Sequence, residues 1–319
     1  MTVNGSVAAA DLGLTLAHEH AFADLRPYAE QAREPFDLDP EAVVAIVLPY
    51  LEEIRDLGVR TFVDATAVGI GRRPALLRRL ADASGLHVLT TTGAYLSAGG
   101  RFISPYVRTE SADALARRWI YEFERGIDGT GVRPGLVKVG VEGGPLTDLE
   151  TKVVRAAART HRETGLLVAA HVGPWGEPAP GALATSAFAQ LDLLEAEGVA
   201  PEAWVWVHAQ NETDAEQHVR AARRGAYVSF DGYRPGDEGR YVALVARMKG
   251  AGLLSRVLIS QDAGWYTAGE PGGGDFVPYA PLVTTLVPAF RNSGLTDADL
   301  DALLVRNPAR ALAISQHTV

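Results

Sequence analysis

Cysteine is absent from the 319 residues, which removes disulfides, thiolate zinc sites and cysteine nucleophiles from the available chemistry. Any bound metal must use nitrogen and oxygen ligands. Positive charge is also in short supply: 30 Lys and Arg stand against 39 Asp and Glu, a formal charge of −9, and no Lys/Arg-rich block occurs. That balance disfavours nucleic acid and anionic membrane as partners and favours a small-molecule substrate. No apolar run is long enough to span a bilayer, and the opening MTVNGSVAAADLG has no basic segment followed by an apolar core. The expected location is cytoplasmic.

Against these absences stands a regular alternation. Short β-branched runs, LTLAHEH, RTFVDA, LHVLTTTG, GLVKVGVE, LLVAAH, AWVWVH, AYVSFD and RVLISQD, are separated by amphipathic stretches such as EAVVAIVLPYLEEIRDLG and TKVVRAAARTHRETG, several closing on Gly. Eight βα units without a linker or low-complexity break fit the roughly 250 residues of a TIM barrel plus insertions. The expected fold is therefore α/β, a single (β/α)8 TIM barrel over residues 1–319, with LTDADLDALLVRNPARALAIS as extra C-terminal helices. The glycine-rich AGWYTAGEPGGGDFVPYAP, residues 263–281, has no following G-K-[ST] and is read as a mobile loop over the barrel mouth rather than a phosphate cradle.

The chemistry-bearing residues sit in or at the ends of these runs. His18 and His20 lie two apart in the first predicted strand, so both imidazoles project from one face. Lys138 lies inside VKV, and His171, His208 and Asp262 each end a run. Groups of this kind are costly to bury singly; their joint placement at strand ends points to a binuclear metal site. Four imidazoles and a carboxylate suit zinc, manganese, cobalt or iron better than calcium or magnesium. An ammonium cannot ligate a cation, but a buried lysine is driven toward the neutral amine. A neutral amine that takes up carbon dioxide becomes a carbamate, N6-carboxylysine, whose two oxygens can bridge two ions.

As an ensemble, DLGLTLAHEH, VKVG, AAHVG, VHAQNE, SQDAGWY and NPARAL resemble the phosphotriesterase-like family of the amidohydrolase superfamily over nearly the whole chain. The resemblance implies two divalent metal ions: His18, His20 and Asp262 on the more buried one, His171 and His208 on the more exposed one, and carbamylated Lys138 with a hydroxide bridging them. Asp262 would accept or relay the proton. Asp64, Thr66 and Asn211 are candidates for orienting the ligands by hydrogen bonds.

Substrate choice rests on matches and departures. Organophosphate-cleaving relatives carry His immediately after the strand-seven Asp and lactonase relatives often Arg; here Gly232 follows Asp231, and Asn211 stands where relatives have Asp. Tyr95 falls where lactonase relatives place a Tyr that hydrogen-bonds the ring ester, making it a catalytic candidate beside Asp262. Tyr95, Trp175, Tyr233, Trp265 and Tyr266 are the candidate substrate-binding residues. Arg101, Arg234 and Arg240 lie in or near loops at the same end, where each could receive an anion but is read as solvated surface. His161 and His218 fall in polar helices, His87 begins a strand at the far end and His317 lies in the tail, so none is expected at the metals.

The expected function is metal-dependent hydrolysis of lactones or related carboxylic esters. The alternatives are organophosphate triester or N-acyl amide hydrolysis on the same site, a non-catalytic metal-stabilised binding protein, and a Schiff-base aldolase or isomerase, which has no use for four histidines. Relatives form dimers, so a homodimer is a further expectation, with AFADLRPYAE as a candidate contact.

Overall fold

The computed structural model describes residues 1–314. Its strands are β1 (Leu14–Ala23), β2 (Val59–Asp64), β3 (His87–Leu89), β4 (Thr91–Tyr95), β5 (Leu136–Val141), β6 (Leu167–Val172), β7 (Trp204–Val207), β8 (Tyr227–Phe230), β9 (Val257–Ile259) and β10 (Gly264–Thr267). All pair in parallel, in two ladders, β10-β1-β2-β3 and β4-β5-β6-β7-β8-β9. Helices return the chain between strands, as parallel pairing requires. The helix Asp148–Thr164 shows the local logic: Thr147 and Glu150 form a capping box at its start, and Gly165 ends it at φ 71°.

The two ladders form one (β/α)8 barrel because both seams between them are bridged. At the first seam the run LHVLTTTG, expected as one strand, divides at Thr90: β3 pairs with β2 and β4 with β5. At the second, β9 ends before reaching β1, and side chains replace the missing rungs. His18 donates its backbone N–H to Ser260 Oγ at 2.9 Å. Glu19 accepts from Ser260 Oγ at 2.7 Å and from the backbone N–H groups of Gln261 and Ala263 at 3.1 and 2.7 Å. Asp262 N–H to His18 O and His20 N–H to Ala263 O complete the closure, at 3.0 and 2.9 Å.

Period-two alternation sorts the strands into two cores. Val137, Val139, Val168, Ala170, Trp204 and Trp206 face the helices, while Leu136, Leu167, Ala169, Val205, Val207 and Leu258 fill the barrel interior. The C-terminal helical segments Asp297–Asp301, Ala302–Arg306 and Asn307–Leu312 pack on the barrel as expected. Ala311 and Leu312 join the interior core, and Asn307 Nδ2 donates to Leu254 O and Val257 O, both at 2.8 Å.

Two expectations need correction. Residues 263–281 are not a loose loop: β10 extends the sheet beside β1, and Tyr279 Oη reaches back to His20 O at 2.8 Å. Gly264 makes this approach feasible, because a Cβ there would lie 1.7 Å from His20 O. His218 is not a solvated helix residue but is buried, with Nε2 2.7 Å from Ala209 O. His161 and His87 lie away from the barrel mouth, the first on Leu166 O and the second paired with Thr61 in the sheet. His317 lies outside the described residues. No helix among the described residues is long and apolar enough to cross a membrane.

Because Glu19 satisfies three donors at the seam, Glu19→Ala should destabilise the protein by about 3 kcal/mol, the scale set by orphaned buried donors. A lowered urea midpoint checks this; an unchanged one would show that water replaces the carboxylate at no cost.

Candidate active site

The carboxyl ends of the strands converge on a cavity of about 550 Å³ lined by His18, His20, Lys138, His171, His208 and Asp262, with Tyr95, Trp175, Trp265 and Arg234 around them. Two backbone irregularities aim these side chains. The pairing of β1 with β2 shifts register between Leu16 and Glu19, so Leu16 lies in the outer core while His18 turns to the cavity. His208 follows the inward Val207 and would point outward by alternation. Its left-handed backbone, φ 60°, returns it to the mouth.

Each imidazole has one nitrogen committed to a protein acceptor, which assigns the tautomer. His18 Nδ1 and His208 Nδ1 lie 3.1 and 2.7 Å from the two oxygens of Asp231. His20 Nδ1 lies 2.8 Å from Thr66 Oγ1, which itself donates to Phe22 O at 3.3 Å. His171 uses the other nitrogen, Nε2, on Gly173 O at 3.0 Å. The lone pairs left over are His18, His20 and His208 Nε2 and His171 Nδ1.

The lone pairs of His18 and His20 both face Asp262, that of His18 with the Lys138 amine nearer still. His20 Nε2 is 3.0 Å and His18 Nε2 3.7 Å from Asp262 Oδ1, and that oxygen has no hydrogen-bond donor among the described residues. At 3.0 Å, His20 Nε2 and Asp262 Oδ1 are two acceptors that repel each other unless a cation lies between them. The donor set therefore fits a metal, and His18, His20 and Asp262 lie close enough together to hold one ion. Lys138 Nζ is 3.2 Å from His18 Nε2, within reach of the same centre.

Electrostatics agree with this arrangement. Burial, aided by the Lys138 charge, lowers His18 to about 4 and takes His171 well below its ordinary value, keeping both neutral and able to ligate. Burial also brings Lys138 down to about 8 against the pull of Asp231 and Asp262. For His208, burial is outweighed by the Asp231 charge and hydrogen bond, and the group is raised. Burial would likewise raise Asp231 and Asp262, but the surrounding imidazoles hold both below the usual carboxylate range.

The phosphotriesterase family model matches residues 1–312. The chain belongs to the phosphotriesterase family. It is a hydrolase by that membership. A phosphotriesterase homology protein of Escherichia coli is 31% identical over 304 residues, covering 93% of this chain and 97% of its own. A human protein named N-acetyltaurine hydrolase is 24% identical, covering 98% and 97%. A solved structure of a mutant phosphotriesterase-like lactonase from Deinococcus radiodurans superposes with a TM-score of 0.86 at 29% identity, over 98% of this chain and 99% of that one.

Around the cavity histidines, Lys138 and Asp262, the aromatic candidates divide. Trp265 stacks on His20, centroids 3.7 Å apart, and donates Nε1–H to Asp262 O at 2.9 Å. Trp175 donates Nε1–H to Tyr95 Oη at 2.6 Å. Two others lie outside the cavity, contrary to expectation: Tyr233 is buried with its hydroxyl on Glu238 at 2.6 Å, and Tyr266 packs on Phe22, turned away by the alternation of β10.

Of the candidate orienting residues, Thr66 holds His20, whereas Asp64 instead accepts the backbone N–H groups of Ala21 and Thr66 at 2.9 and 3.1 Å. Asn211 is exposed on the cavity lining. Sequence reasoning missed the role of Asp231, which was visible only as an acid ending AYVSFD, and missed Gln210. A Cβ on Gly232 would lie 2.4 Å from Gln210 Nε2, so Gln210 occupies the space that a side chain after Asp231 would need.

Asp231→Asn replaces an acceptor shared by His18 and His208, two candidate metal ligands. Metal affinity should fall about 10- to 100-fold, read by chelator competition; unchanged affinity would remove Asp231 from the account.

Proposed function

We propose that this phosphotriesterase-family protein is a binuclear-metal hydrolase of lactones and related carboxylic esters. His18, His20 and Asp262 would hold one divalent ion, His171 and His208 the other, with Lys138 as N6-carboxylysine between them. Zinc suits this nitrogen-rich set, and manganese, cobalt or iron are the other candidates. Bound there, the ions supply what the side chains lack, an acidified water and a Lewis acid for the carbonyl oxygen.

The single observation that carries the choice of bond is Tyr95. It lines the cavity beside His171, ring centroids 5.1 Å apart, and Trp175 holds its oxygen in place. Burial pushes its hydroxyl well above the ordinary tyrosine value, so it stays protonated and can donate to the ester oxygen. Asp262, with Oδ1 free of protein donors and its side chain a quarter exposed, takes the proton from the attacking water and returns it to the leaving alkoxide. His20 and Trp265, stacked on one another, wall one side of the cavity. Gly232 stands where organophosphate-cleaving relatives carry the relay residue, and Gln210 Nε2 fills part of that space, so triesters are poor substrates on this reading. The lactonase name of a structural neighbour supports it.

A second bond, the N-acyl amide, is favoured by the name of the human relative. A kinetic panel of γ- and δ-lactones, aryl esters, N-acyl amino acids and triesters separates the readings: the highest kcat/KM should fall on lactones, and a preference for amides overturns the ester assignment. Tyr95→Phe should lower lactone kcat/KM about tenfold, the worth of one hydrogen bond. In protein loaded with metal and 13C-labelled bicarbonate, NMR should show a carbamate carbon that Lys138→Arg abolishes; no such signal removes the bridging carbamate.

A further inference from the structure

Arg234 is a cavity residue, not solvated surface, and its guanidinium is held without any neutralising acid. Nη1 donates to Tyr233 O at 2.8 Å and to Gln261 O, and Nη2 donates to Asp262 O at 3.0 Å. These carbonyls belong to the loops after β8 and β9, so the side chain is fixed across the gap between them. No carboxylate among the described residues lies within ion-pair distance of it.

Of the five N–H donors a guanidinium carries, the three bonds spend three. Nε–H and one Nη2–H have no acceptor among the described residues. Arg240, further along the same segment, is also bound only to a carbonyl, Gln210 O. It lies on a smaller annex that shares His171, Pro174 and Asn211 with the main cavity, with Glu177 the acidic side chain there.

We propose that Arg234 is the recognition group for an oxyanion on the substrate, so that the substrate is an ester or lactone that also carries a carboxylate or another oxy-acid group. This rests on the ester reading above and narrows it. A half-buried guanidinium already positioned by carbonyls loses little entropy when it binds, and two donors suit a carboxylate's two oxygens. The carbonyl bonds orient the charge without cancelling it. The leaving group or acyl part of the substrate would place its anion toward the β8 side of the mouth.

The test uses metal-loaded enzyme and a matched pair: a γ-butyrolactone bearing a ring carboxylate, and the same ring bearing a neutral carboxamide. Wild type should prefer the carboxylate at least tenfold in kcat/KM. Arg234→Gln should abolish the preference, chiefly through KM. Arg234→Lys, which keeps the charge but cannot present two parallel donors, should lose at least threefold of it and decides the matter if Arg234→Gln does not fold.

Equal turnover of the pair by wild type overturns the proposal, as does a preference that survives in Arg234→Lys and Arg234→Gln. A parallel loss on both substrates would mark Arg234 as a clamp between loops and also overturn it. A thermal-shift comparison of glutarate with neutral glutaramide separates this inference from the ester reading. If no lactone is cleaved but glutarate stabilises wild type more than glutaramide, and Arg234→Gln removes that excess, the bond assignment fails and the anion site stands. If the excess persists in Arg234→Gln, the anion site fails.

Discussion

The Asp231 carboxylate is the pivot of the barrel mouth. One oxygen takes the Nδ1–H of His18 and the other takes both the Nδ1–H and the backbone N–H of His208, tying the ends of β1, β7 and β8 to one buried charge. An unpaired carboxylate in that position would be prohibitively costly. Neutralised by donors, it instead dictates which nitrogen of each ring keeps its lone pair. The proposed ligand set depends on that choice, because an imidazole presenting N–H to a cation would be repelled.

The same end of the barrel is where regular pairing is least complete, and the two facts are related. Closing a ring of strands leaves a seam between β9 and β1, which Glu19 and Ser260 fill with side-chain hydrogen bonds. Freed from the ladder after Ile259, Asp262 takes a left-handed conformation at φ 53°, and Trp265 keeps φ 73° within the short β10. Those departures bring the Asp262 carboxylate toward His18 and His20, and its carbonyl toward Arg234 and Trp265. Strain of this kind is tolerated because several hydrogen bonds hold it in place.

Much of this was legible in the chain because repeating βα units carry a strong periodic signal. The positions of β2, β5, β6 and β8 follow from β-branched runs, and the helix after β5 from its stripe of alanines and valines. The break at Thr90 was not legible, since TTTG reads as uninterrupted strand; neither was β10, whose short GWYT lies among glycines that signal a loop. Tyr233 and Tyr266 were misplaced because an aromatic in a loop carries no sign of the direction it faces.

By itself the sequence determined the set of candidate metal-binding side chains and their place in or at the ends of strands, because residue type and periodicity are local properties. It also excluded thiolate chemistry through the absence of cysteine. Only the tertiary structure decided which way each of those groups points and with what tautomer: the register shift in β1 turns His18 inward, a positive φ returns His208, and Asp231, remote in sequence from His18, selects the nitrogens. It decided equally that Arg234 faces the cavity while Tyr233 beside it does not. Direction at the mouth is set where ladders end and loops from different strands meet, and contacts across such gaps leave no periodic trace along the chain.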